Sequence, residues 1–204
     1  MGIRRQPSPE RRPGRTRLRA VLAGGLVFGV GASMTLSAWT DEEHVSSTFT
    51  AGTFSIVGAT DGATFTDHPT APGASLVFAV APTAMAPGSV VYALYSVKTA
   101  ATSLAGTVQL TADAANNTGL GAYLTYGATR IAGTTCSAAT FGAGTVSVAT
   151  GSALTLGAAT PVVVSAAGAS TINYCFAVTL PASAPNAAQG TTLTAHWIIA
   201  GAAA

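Results

Sequence analysis

Past residue 39 the chain has no helical apolar period. Apolar residues instead alternate with small or polar ones over short runs, and Gly, Pro, Asn and Asp punctuate the runs. Ten such runs predict strands: 47–57, 75–80, 89–98, 104–112, 121–131, 145–149, 153–157, 161–166, 171–180 and 191–199. Side chains on a strand alternate between faces. Phe54 and Ile56 therefore share a face in the first run, and Ile172, Tyr174, Phe176, Val178 and Leu180 share one in the ninth. Cys175 points to the opposite face. In the last run Leu193, Ala195, Trp197 and Ile199 point inward and His196 points out. Many short strands at this spacing predict an all-β fold, a jelly-roll-like antiparallel β-sandwich. The body is long enough to bury a core.

The N-terminal pattern is different. Seven of the nine basic residues are Arg4, Arg5, Arg11, Arg12, Arg15, Arg17 and Arg19, and Pro7, Pro9 and Pro13 lie among them. Residues 20–36 are uncharged and mostly apolar, and Trp39 and Asp41-Glu42-Glu43 follow. A basic stretch, an apolar stretch and then small residues make a secretory signal peptide, residues 1–38. A cut after Ala38 leaves Trp39 at the new terminus. A cut after Ala32 is the alternative, and an uncleaved anchor is the other reading. The apolar run is at the short limit for spanning and is broken by Gly24, Gly25, Gly29 and Gly31. Arg11-Arg12 precedes Pro13-Gly14, which breaks the context that twin-arginine export needs.

Composition narrows the class. Charged residues are 8% of the chain, and alanine (43) and threonine (30) dominate. Low charge with high hydrophobicity argues against disorder. After residue 38 only Lys98 and Arg130 stand against Asp41, Glu42, Glu43, Asp61, Asp67 and Asp113, a formal −4. A body with that charge has no basic face for nucleic acid. The two cysteines, Cys136 and Cys175, both follow the signal, and an even pair in an exported chain predicts a disulfide. Two buried thiols are the other reading.

Candidate chemistry is sparse. His44, His68 and His196 form no His-Glu-x-x-His pattern, and there is no Gly-x-Ser-x-Gly elbow or phosphate loop. His44 sits in an acidic run that reads as a solvated segment. Asp61 and Asp67 bracket a Gly/Thr loop that reads as a turn, with a loose cation loop as its alternative. Asn116-Asn117-Thr118 matches a glycosylation sequon, a short and weak signal. The expectation is a non-enzyme with no catalytic residue, no metal and no cofactor.

Two junction motifs carry a family resemblance. Ser37-Ala38-Trp39-Thr40-Asp41, followed by Thr48-Phe49-Thr50-Ala51-Gly52-Thr53-Phe54, resembles the alternate-type signal peptides processed by the SipW signal peptidase. The TasA/camelysin-like group of secreted matrix and surface proteins carries such signals. Ala86-Pro87-Gly88-Ser89, Tyr174-Cys175-Phe176 and Asn186-Ala187-Ala188-Gln189-Gly190-Thr191 resemble actinobacterial members. Lys98-Thr99-Ala100-Ala101-Thr102 departs from the family pattern in the middle.

The resemblance implies a secreted structural protein of the cell surface or extracellular matrix. It also implies head-to-tail fibres of this chain with itself, in the company of other matrix proteins. The membrane is met only during export, where a SipW-type peptidase is the partner. Residues 39–47 then form an N-terminal extension donated to the neighbouring subunit, carried by Trp39, Thr40, Asp41, Glu42, Glu43, His44, Val45, Ser46 and Ser47. Residues 48–200 form the sandwich and 201–204 a frayed tail. The alternatives are a camelysin-like secreted metalloprotease and a monomeric surface adhesin or binding module.

Overall fold

The computed structural model describes residues 17–22, 24–25, 41–71, 73–78 and 84–204. The chain divides into two units, Met1–Phe49 and Thr50–Ala204. In the first, residues 17–22 and 24–25 are helical, and residues 41–49 are exposed without regular secondary structure. The cleavage site at Ala38 and Trp39, and Thr40, lie outside the described residues. No helix among the described residues is long and apolar enough to cross a membrane.

The second unit is an antiparallel β-sandwich of eight strands. They are β1 (Ile56–Ala59), β2 (Val90–Thr99), β3 (Gly106–Ala112), β4 (Thr125–Ile131), β5 (Thr145–Ala153), β6 (Val162–Val164), β7 (Thr171–Thr179) and β8 (Trp197–Ala203). One sheet has the order β1-β2-β7-β4-β5, the other β6-β3-β8.

Alternation decides what enters the core. In the β2–β7 ladder Val91, Ala93, Tyr95 and Val97 lie opposite Val178, Phe176, Tyr174 and Ile172. These residues face the small sheet, where Val108, Leu110 and Val164 are wholly buried. Trp197 closes the core between Tyr126 and Phe176, with ring centroids 5.5 and 5.3 Å away. Large aromatics bury much apolar area, which suits a sandwich otherwise built from small side chains.

The other face of β7 carries Cys175, as alternation predicts. Cys175 is bonded to Cys136, with Cα atoms 5.2 Å apart. Beside that bridge lies a helix missing from the sequence reading, α1 (Ala138–Ala143). Ser137 caps it, and a reciprocal bond between Ser137 and Thr140 completes a capping box. Phe141 of this helix meets Tyr92 edge-on at 6.0 Å.

Several expected elements take a different form. The run 145–149 extends to Ala153 as one strand, β5, with register shifts against β4, and residues 154–157 form a turn instead of a separate strand. Gly151 supplies the positive φ of 85° that this strand needs. In the run 75–80, Phe78 makes only an isolated bridge to Ala93. The last strand starts at Trp197 instead of 191. It runs through the alanine-rich end, where Gly201, Ala202 and Ala203 pair with Val108, Thr107 and Gly106. Residues 201–203 are therefore part of the sheet rather than a frayed tail. Backbone pairing to β3 holds them despite their small side chains.

Candidate strand-accepting groove

The small sheet is the shorter layer, and its β8 edge is open. β3 covers one side of β8 over a continuous register from Gly106↔Ala203 to Ala112↔Trp197. Among the described residues no strand pairs with the other side. Asp113 N–H donates to the His196 carbonyl and Ala204 N–H to the Ala105 carbonyl. Main-chain groups alternate sides along an antiparallel strand. Even-numbered residues of β8 therefore bond toward β3. Trp197, Ile199, Gly201 and Ala203 turn their N–H and C=O groups to the open edge.

Beside this edge lies a groove of about 740 Å³. Tyr95, Val97, Phe176, Leu193, Trp197 and Ile199 form much of its apolar lining. Its lining also includes Asp67, His68, Asp113 and His196. Phe54 packs onto the sheet at two glycines. A Cβ on Gly201 would stand 2.8 Å from the Phe54 ring, and one on Gly106 would stand 2.5 Å from it. These glycines let the ring lie flat against the strands.

The backbone just before β8 is tied by a buried polar residue. Asn116 is fully buried. Its amide donates to the Leu154 and His196 carbonyls at 3.1 and 2.8 Å, and its side-chain oxygen accepts from His196 N–H at 2.8 Å. An amide used this way cannot serve as a glycosylation acceptor in the folded chain. His196 is thereby held by its backbone just before β8, half-buried, and not outward on a strand as the alternation predicted.

Tyr126, at the base of the aromatic cluster, donates its hydroxyl to the Leu156 carbonyl. Burial pushes its pKa up to about 12. The Trp197 indole N–H lies toward the Tyr126 oxygen, short of a formed hydrogen bond, and offsets part of that rise. Burial likewise raises Tyr174, against the opposing charge of Arg130.

The remaining sequence candidates are dispersed. Asp41 to Ser47 are exposed, and His44 Nε2 lies 3.8 Å from Glu42 Oε2. Asp61 accepts from Ala63 and Thr64 N–H at 2.9 and 2.8 Å, so its loop is a carboxylate-closed turn. Those bonds lower its pKa to about 2. His68 bonds Thr66 at 3.1 Å. No three of His, Cys, Asp or Glu among the described residues gather as a metal site. Val45, expected in the donated extension, and Phe49, expected in the first strand, are 89% and 91% exposed. Their signal was a short alternation, Val45-Ser46-Ser47-Thr48-Phe49, that ends inside the first predicted strand.

Fold and site together define a disulfide-bonded, all-β sandwich in which, among the described residues, the β8 edge has no strand partner on its outer side. No family model matches the chain, and no curated protein is similar to it.

Proposed function

We propose that this is an exported structural protein of the cell surface or extracellular matrix, whose copies join head to tail by donating an N-terminal strand. The observation that carries this reading is the open β8 edge beside an apolar groove. An added strand gains main-chain hydrogen bonds from such an edge and fills the groove with alternate side chains. Natural edge strands are commonly guarded by charge or proline. β8, Trp-Ile-Ile-Ala-Gly-Ala-Ala, has neither. A donor on one end and an acceptor elsewhere make a contact that does not close, so the product is a filament. The disulfide is compatible with an oxidising, extracellular setting. The basic and apolar N-terminus supports export.

The test is the solution mass of the chain beginning at Trp39, by light scattering over rising concentration under oxidising conditions. Mass growing without a fixed limit is expected, and a variant lacking residues 39–47 stays monomeric. A constant mass of one chain at all concentrations overturns the reading.

A further inference from the structure

We infer that the strand entering the β8 groove is Val45–Phe49 of a second copy, anchored by Val45 and Phe49, while the acidic run Asp41–Glu43 remains in water. This rests on the strand-donation reading above and says which residues carry it. On a strand, Val45, Ser47 and Phe49 share one face. The two apolar members are 89% and 91% exposed, the two highest exposures among the large hydrophobic side chains described. The intervening Ser46, Ser47 and Thr48 are small and uncharged. This segment can lie on an apolar wall without burying a charge.

The three acids N-terminal to it cannot. A buried carboxylate without a partner is costly. Among the described residues the groove's lining holds no Lys or Arg, and it already includes Asp67 and Asp113. Asp41, Glu42 and Glu43 would meet like charge there. The charge pattern thus ends the inserted stretch just before Val45, and Trp39 lies beyond the acids.

Lengths agree. Five residues of strand span about 17 Å and the seven of β8 about 24 Å, at roughly 3.4 Å each. The donated main chain would meet the outward-turned groups of Trp197, Ile199, Gly201 and Ala203. Val45 and Phe49 would point inward toward Trp197, Ile199 and Leu193.

The experiment uses full mature chains with single substitutions. Trp39→Ser is expected to assemble like the parent, and Phe49→Asp to stay monomeric with an unchanged melting temperature. Copies carrying Thr48→Cys are mixed with copies carrying Ile198→Cys, Ala200→Cys or Ala202→Cys, whose side chains all lie on the outer face of β8. A disulfide-linked dimer is expected with one or more of these. Thr150→Cys on the other sheet's β5 edge serves as the control and is expected to give none. Filaments that cross-link through Thr150→Cys, or that require Trp39 and tolerate Phe49→Asp, overturn this inference and leave strand donation standing. A chain bearing both Thr48→Cys and Ala200→Cys that closes internally as a monomer overturns both. No assembly by any variant or by the parent overturns the function itself.

Discussion

Tyr126 shows how one side chain ties the core of this sandwich to its edge. Its ring stacks near Phe176 and Trp197, and its hydroxyl satisfies the Leu156 carbonyl. A buried phenol resists ionisation, because its anion would be desolvated. The folded pKa of about 12 stands above the ordinary 10.0. This contribution is therefore complete below about pH 10 and is lost as pH rises toward 12. Tyr126→Phe is expected to cost about 1 to 2 kcal/mol at neutral pH, since the Leu156 carbonyl loses its donor. It should also flatten the alkaline fall in stability. Urea unfolding at pH 7 and pH 11 checks both, and an alkaline limb as steep as the parent's would refute the assignment. The sequence placed Tyr174 and Phe176 correctly on one face, because alternation is local. It gave Asn116 only as a sequon and Tyr126 only as part of a strand, without their buried bonds, because their partners lie 30 to 80 residues away.

Elements were legible in proportion to how far their pattern extended. β2, β3 and β7 run for 10, 7 and 9 residues and coincide with predicted runs. α1 has 6 residues, too few to show a helical period. Its Ser137-x-x-Thr140 cap was the available signal. β8 was shifted because Asn116 holds the backbone at His196, a constraint from another segment. The Cys136–Cys175 bridge, 39 residues apart, staples the α1 turn to β7. Its loss is expected to remove about 4 kcal/mol in the chain-entropy model, a melting shift of roughly 10 °C. Calorimetry of a Cys136→Ser, Cys175→Ser variant against the parent measures this. An unchanged melting temperature would mean that the sheet alone holds that turn.

At the scale of the whole molecule, charge is partitioned. Cations gather before residue 20, three acids follow at 41–43, and no Asp, Glu, Lys or Arg occurs from residue 131 onward. Cationic residues stay on the cytoplasmic side of a translocating segment, which orients export. Expressed in a host with a matching peptidase, the chain is expected to reach the medium with Trp39 as its first residue. The intact mass of the secreted product reads this directly. A product starting at Met1 and held in the membrane fraction would make the segment an anchor. The sparsely charged body leaves backbone pairing and apolar contact as the main forces between copies. That is why an open edge matters more here than any pair of surface charges.

The sequence by itself determined the β class, the inward faces of the long strands, the disulfide and the segregated N-terminus. Each depends on residues close in the chain or on simple counting. Only the tertiary structure decided that the two sheets hold five and three strands and that, among the described residues, β8 has no outer strand partner beside a groove. It also showed that the alanine-rich end is a strand. Those outcomes depend on which strands pair across long separations. Backbone hydrogen bonding makes that choice with little regard for side-chain identity, and so it leaves little trace in the local pattern.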